Sequence, residues 1–279
     1  MKGRRPFKRL SHNERAVSPA ISTTIITAAV IVMLLVTVNF ANNYLNSQLA
    51  NNEFSTMQQF MQTTGLQIDD IAWTVGRAQT IRYASNFGQV NFTSVTLNYY
   101  VYAYTSTGTV NFNFSTGILM YRMPTNRYNI ANGYRQLVFP SNSSFLQQGT
   151  SAPVTQVFVI ERVPMNDGNF IRIVVAPSVR MMNSTITNTN YYNFYLPILQ
   201  QGKNPYLSQS VTLSTTAVNV QTVQNVNNIS ITAGFPNLNL GFDSSFFNFN
   251  STNVQINVPA GSVLEFYSGN VTVSLGLYS

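Results

Sequence analysis

Few residues of this 279-residue chain could do chemistry. It has no cysteine and a single histidine, His12, so thiolate nucleophiles, disulfides and metal sites built from these residue types are excluded. Of its eight acidic residues, only four follow residue 90: Glu161, Asp167, Asp243 and Glu265. Glu161 and Glu265 are the two in predicted strands, and two carboxylates about 5–10 Å apart are what a glycosidase uses. They are therefore the one catalytic pair that the sequence offers.

The simpler interpretation of these acids is structural. Asp167 belongs to an Asn-Asp-Gly turn between two apolar runs, which is a strong hairpin signal. Glu161 is followed by Arg162, and both it and Glu265 are typical of solvated strand positions. No glycine-rich phosphate loop connects a strand to a helix. We therefore expect no enzyme, no catalytic residue, no metal and no cofactor, and a secreted hydrolase on an anchor remains the alternative.

The positive charge of the chain is confined to its start. Residues 1–16 hold six basic residues and one acid, so they carry +5 of the formal net charge of +7. A protein that binds nucleic acid carries basic residues across its folded surface. The rest of this chain is almost neutral, so no nucleic-acid partner is predicted.

Residues 20–40 read AISTTIITAAVIVMLLVTVNF and contain no charge. A helix of this length rises about 30 Å, which matches the hydrocarbon core of a membrane. The basic residues in front of the segment place the N-terminus in the cytoplasm and the remainder of the chain outside. A cleaved secretory signal and a permanent single-pass anchor both fit this composition. A third interpretation depends on the residues just before the segment.

Those residues are Arg15-Ala16-Val17-Ser18-Pro19. Ser18 suits a helix N-cap and Pro19 the first helical turn, so the helix is predicted to begin at Pro19. A basic arm that ends directly before an apolar helix resembles the class III signal of archaeal type IV pilins. The resemblance implies that a prepilin-type peptidase cuts between Ala16 and Val17.

The resemblance also implies where the helix goes and what it contacts. Lipid would bury it before assembly, and neighbouring copies or other pilin subunits would bury it in a filament core afterwards. Ile21 stands where bacterial pilins usually carry glutamate, a departure that is common in the archaeal proteins. The membrane, the peptidase and pilin subunits are thus the expected partners.

Apolar residues continue at three- and four-residue steps beyond Phe40, which predicts an amphipathic helix to about Ala78 or Tyr83. Gly65 and Gly76 mark expected bends or breaks. Asp69, Asp70 and Arg77 are expected on its exposed face.

After Asn86 the pattern changes to period two, with turn residues between short apolar runs. This favours a β-sandwich, with a long loop or irregular crossing over Tyr191–Pro205 and a second subdomain starting near residue 205 as an open alternative. The predicted organisation is a basic leader over 1–16, a helix over 17–85 and an all-β head over 86–279, in an α+β fold.

Seven Asn-X-Ser/Thr sequons follow the helix, at Asn91, Asn113, Asn142, Asn183, Asn228, Asn250 and Asn270. Their position agrees with a glycosylated, external head. The many tyrosines and phenylalanines of the head suit cross-strand packing or, alternatively, a sugar-binding patch.

The sequence therefore predicts a structural or adhesive surface protein, a main or minor subunit of an archaeal type IV pilus-like filament. The alternative is a single-pass, membrane-anchored surface protein whose β domain binds a ligand such as a sugar and which does not polymerise.

Overall fold

The computed structural model describes residues 14–128, 130–165, 168–203 and 209–276, with the backbone alone for residues 14–20, 163 and 164. Helix α1 spans Glu14–Ile71, helix α2 spans Ser244–Phe247, and a 3-10 turn covers Leu238–Leu240. The strands are β1 (Ala78–Arg82), β2 (Gln89–Thr105), β3 (Gly108–Pro124), β4 (Arg135–Phe139), β5 (Leu146–Gln148), β6 (Thr155–Met165), β7 (Gly168–Pro177), β8 (Val179–Ile186), β9 (Thr189–Gln201), β10 (Ser210–Gly234) and β11 (Asn253–Leu275). The fold is α+β, as expected. Two compact units divide it, one ending at Leu49 and the other beginning at Ala50.

Both predicted ends of the long helix are wrong. The helix begins at Glu14 rather than Pro19, so residues 14–18 continue it in the N-terminal direction. It ends at Ile71, and residues 78–82, predicted as helical, form strand β1. Local propensity does not explain the C-terminal end, because the same helical periodicity covers residues on both sides of Ile71.

The C-terminal end of α1 is fixed by strands far along the chain. The Ile71 carbonyl accepts a hydrogen bond from Thr215 Oγ1 at 2.7 Å, and the Thr215 carbonyl accepts one from the Gly76 amide at 2.9 Å. The backbone at Gly76 has a positive φ of 81°, which favours glycine. Gly269 of β11 lies against Ala72, where an added Cβ would stand 2.2 Å from the Ala72 carbonyl oxygen. The sheet thus captures the chain and directs it into β1.

Gly65 does not break the helix. It lies inside α1, where a Cβ would stand 2.9 Å from Thr155 Oγ1 and 3.1 Å from Val157 Cγ2. Thr155 donates its hydroxyl hydrogen to the Gly65 carbonyl at 3.1 Å. The glycine therefore permits a close approach between the helix and β6.

The described strands form one eleven-stranded sheet with the order β4-β6-β7-β3-β2-β10-β11-β9-β8-β5, and β1 pairs additionally with β10. This arrangement differs from the two separate sheets expected for a sandwich. Pairing is antiparallel except between β11 and β9 and between β5 and β8. Strands from both sides of residue 205 are neighbours in this sheet, since β11 lies between β10 and β9.

The sheet curls back on itself. Leu199 of β9 donates its backbone N–H to Thr116 Oγ1 of β3 at 2.9 Å, although three strands separate β9 from β3 in the sheet order. Phe114 of β3 stacks on Phe266 of β11 with ring centroids 4.4 Å apart. One apolar core fills the inside of this curl, and a second core lies between the sheet and the residues of α1 from Ala50 onward.

Tyr191–Pro205, predicted as a loop, is largely strand β9. Pro197, Gly202 and Pro205 indicate a loop in the sequence, and of these Pro197 lies within the strand although proline has no N–H for a sheet ladder. The last residue of β9 that pairs with β8 is Tyr195, so Pro197 has a partner strand on only one side. Proline is tolerated at such a position. Residues 204–208 lie outside the described part.

Candidate functional site

The first candidate surface is the N-terminal part of α1. Every described residue from Ile21 to Leu49 is exposed, and no charged residue occurs between Arg15 and Glu53. The exposed apolar side chains include Ile25, Ile26, Met33, Leu34, Leu35 and Phe40, which point in all directions around the helix. The one described helix long and apolar enough to span a membrane contains this segment. Such a surface is stable in lipid or against other apolar helices.

Two polar side chains of this segment donate hydrogen bonds to backbone carbonyls of the same helix. Thr37 Oγ1 donates to the Met33 carbonyl at 2.7 Å, and Asn39 Nδ2 donates to the Leu35 carbonyl at 2.9 Å. Bonds of this kind let hydroxyl and amide groups enter an apolar environment at reduced cost. The segment is therefore suited to burial despite its polar members.

From Ala50 onward, α1 is amphipathic and packs on the sheet. Its buried side recurs at three- and four-residue steps and consists of Ala50, Phe54, Met57, Phe60, Met61, Thr64, Ile68 and Ile71. These side chains meet the second core, which is built from β2, β3, β6, β7, β9, β10 and β11. Apolar burial on this scale fixes the helix to the β domain.

Glu53 provides the polar part of this attachment. Its carboxylate receives hydrogen bonds from five residues of the loop before β2 and of β3, at 2.6–3.2 Å. Three of the donors are consecutive backbone N–H groups, which form a concave anion site. The donors are Ser85 Oγ, the amides of Asn86, Phe87 and Gly88, and Tyr121 Oη. Sequence reasoning missed Glu53, although it is the sole charged residue between Arg15 and Asp69.

Asp69 and Asp70 differ in environment. Asp70 pairs with Arg77 at 2.5 Å, and both side chains are about half exposed, as expected of a solvated face. Asp69 instead accepts from Trp73 Nε1 at 3.2 Å and from Arg180 of β8 at 3.4 Å. The guanidinium of Arg180 lies over the Tyr195 ring. Asp69 therefore connects the helix to the sheet. This role depends on Arg180, and the sequence predicted neither the role nor this partner.

The predicted processing residues Arg15, Ala16 and Val17 lie in the first turns of α1. Their side chains are outside the described part, so the structure gives no contact for them.

The carboxylate pair Glu161 and Glu265 is not brought together. Glu161 is buried on β6 at a cavity of about 740 Å³, where it accepts a hydrogen bond from the Gly133 amide. Glu265 is on β11, where Tyr267 Oη donates to it at 2.7 Å. Neither a hydrogen bond nor a cavity described here joins the two. Asp167 lies outside the described residues.

Asp243 has a structural task. It accepts two hydrogen bonds from Arg162, at 2.6 and 2.8 Å, and caps α2 by accepting from the Phe246 amide at 2.8 Å. The Arg162 guanidinium holds the pKa of this carboxyl well below its usual range. Burial lowers the pKa of the neighbouring Arg135 to about 10, and the hydrogen bond to Glu265 raises that of Tyr267 to about 12.

The seven sequon asparagines occupy unequal positions. Asn113, Asn142, Asn183 and Asn250 are exposed, whereas Asn91, Asn228 and Asn270 are half-buried. The hydroxyl residue of the Asn228 sequon, Ser230, is 4% exposed. This sequon is therefore less accessible to a glycosylating enzyme in the folded chain than those whose asparagine is exposed.

The described residues include no group of three or more His, Asp or Glu side chains that could hold a metal ion. No family model matches the sequence, and neither the curated proteins nor the solved structures gave a match. The function must therefore be argued from the chain itself.

Proposed function

We propose that this protein is a structural or adhesive subunit, main or minor, of an archaeal type IV pilus-like filament. One observation carries the proposal: a single 58-residue helix whose residues 21–49 are exposed and uncharged and whose residues from Ala50 onward pack on a β domain. The exposed part needs a partner that the described residues do not supply. A membrane before assembly and other subunits after it would each meet that need.

The proposal includes the processing and topology inferred from the sequence. A prepilin-type peptidase removes residues 1–16, and the N-terminus faces the cytoplasm. The β domain, whose curled sheet forms a sandwich-like head, is extracellular and glycosylated. Removal of the leader also removes +5 of charge from the end that must enter an apolar environment.

The N-terminal residue of the protein from its native cells, measured by mass spectrometry, tests the processing step. We expect Val17. An Ala16→Leu variant should retain Met1 or Lys2 and stay in the membrane, because the larger side chain blocks the peptidase. Ala41→Leu, the same exchange farther along the helix, is the matched control and should be processed normally.

Filament formation needs a separate measurement. Because the chain has no cysteine, an Ala29→Cys variant introduces a single thiol into the exposed helix. In a sheared extracellular fraction we expect this thiol to be protected from a water-soluble maleimide, while Ala84→Cys, exposed in the β domain, reacts. Protein that starts at Met1 and is found only in the membrane would replace the proposal with the anchored, non-polymerising alternative.

A further inference from the structure

One part of the sheet has an outward face of unusual composition. Between residues 98 and 115, strands β2 and β3 form a hairpin beyond the point where β3 pairs with β7, and β10 and β11 continue the sheet on the other side. The inward side chains of these strands, such as Tyr99 and Val101, enter the core within the curl. The outward side chains are half-buried or exposed, apart from that of Ser230, which is buried.

A column of tyrosines runs along the middle of this face. Tyr100, Tyr102 and Tyr104 alternate with the buried residues of β2, and each is half-buried or exposed. The pairing register places Tyr102 opposite Asn111 of β3 and Ser230 of β10. Ser230 in turn lies opposite Gln255 of β11. We call this surface the tyrosine face.

Amide and hydroxyl groups surround the column on both sides. The outward positions of β3 at 109–113, of β10 at 228–232 and of β11 at 253–257 are all Asn, Gln, Ser or Thr. No charged residue occurs anywhere in residues 83–121, 209–242 or 244–264. Tyrosines with amide and hydroxyl neighbours offer flat apolar area and adaptable hydrogen bonding at low entropic cost.

The sheet holds one of these rings ready for contact. A Cβ at Gly234 of β10 would stand 2.8 Å from Tyr100 Cε2, so the Tyr100 ring lies on the backbone where only glycine leaves room. The Oδ1 atoms of Asn98 and Asn228, at the two ends of the column, have no hydrogen-bond partner among the described residues. Both oxygens are buried in the free protein, so a ligand hydroxyl would have to displace a neighbouring side chain to pair with either of them.

We infer that the tyrosine face binds a neutral glycan. Pyranose rings present apolar C–H surfaces that pack on aromatic rings, and hydroxyls that pair with amides. The absence of charge argues against an anionic polysaccharide, a lipid head group or a nucleic acid, each of which needs basic residues. The face belongs to the β domain alone, so its binding does not depend on filament formation.

Binding is measured with the full chain in a detergent that has no sugar head group. The probes are dextran, laminarin and chitohexaose, with dextran sulfate as the charged comparison. We expect at least one neutral probe to bind and sulfation to bring no gain. Tyr102→Ala should weaken binding roughly three- to tenfold, because it removes one aromatic contact. Tyr102→Phe keeps the ring and should remain within about twofold.

Tyr191→Ala is the matched control, since Tyr191 is a half-buried tyrosine on β9, away from this face. It should bind as the unmodified chain does. Three outcomes overturn the inference: no neutral probe binds, dextran sulfate binds best, or Tyr102→Ala and Tyr191→Ala lose binding equally. A glycan found on Asn113 of the native protein would also overturn it, because Asn113 lies opposite Tyr100 and its glycan would cover the face.

Discussion

Removing the carboxylate of Glu53 should loosen the packed half of α1 from the β domain. The substitution Glu53→Ala leaves its five donor residues without their acceptor. Tyr121 is fully buried, so water cannot readily replace the carboxylate for it, whereas Ser85 Oγ can donate instead to the Gly88 carbonyl at 2.7 Å. The three backbone amides lie closer to the surface and can bond to water.

The expected cost follows from these two groups of donors. Each buried donor left unpaired costs about 1–3 kcal/mol, and each amide that finds water costs much less. Glu53→Ala should therefore lower the free energy of unfolding by about 2–5 kcal/mol. Glu53→Gln keeps one acceptor oxygen but loses the charge, and should cost about 1–2 kcal/mol. For a domain of this size the first loss corresponds to roughly 4–20 °C in Tm.

Thermal unfolding of the full chain in detergent ranks the variants and the unmodified chain by stability. Amide hydrogen exchange over residues 50–71 shows whether the loss of stability lies in the packed part of α1. Asp70→Asn is the matched control, because it removes a carboxylate from the same helix whose ion pair is exposed and worth at most about 1 kcal/mol. If Glu53→Ala unfolds at the same temperature as Asp70→Asn, with unchanged exchange in residues 50–71, the argument for a polar attachment is refuted.

Two further predictions concern single side chains of the β domain and the helix facing it. Gly65→Ala should destabilise the chain by about 1–2 kcal/mol in urea unfolding, because the new methyl group meets buried Thr155 and Val157. Helix propensity alone predicts that alanine stabilises the chain. A stabilised variant would therefore disprove the close packing. Asp243→Asn should cost about 1–2 kcal/mol at pH 7, because it keeps the cap on α2 but loses the charge facing Arg162. The pKa of the Asp243 carboxyl is lower in the folded chain than its unfolded value of about 3.9. The carboxylate therefore adds to the free energy of unfolding above that pH, and this stabilisation is lost as the pH falls further. The stability gap between Asp243→Asn and the unmodified chain should thus narrow from pH 7 to pH 3, and a constant gap would contradict this assignment.

Periodicity predicted the elements that depend on local residues. The α+β class, the apolar helix segment and the Asn-Asp-Gly hairpin, which joins Met165 to Gly168, are confirmed. Where short strands were expected, β10 is one continuous strand of 25 residues, and bulges near Thr215 and Val226 keep it paired with β11 where the alternation lapses.

What the sequence could not predict depends on distant partners. Helical periodicity runs past Ile71, and only the capture of that carbonyl by Thr215 ends the helix. Pro197 indicates a loop unless the end of the pairing between β8 and β9 is known. Glu53 is an unremarkable helix residue until the loop before β2 is folded around it. The tyrosine face likewise needs the register of four strands, although its tyrosine alternation is visible in the sequence.

The contact between Ala72 and Gly269 also constrains the order in which the chain folds. Helix α1 is synthesised first, but the core that receives its residues from Ala50 onward includes Val271 and Val273, close to the C-terminus. Contacts between residues so far apart along the chain form late and slowly. The helix is thus made first, and the contact of Ala72 with Gly269 of β11 is among the last to form. A chain truncated after β10 would lack the strand against which Ala72 packs and would leave that end of the second core open to proteolysis, so the last strand completes the attachment of the helix.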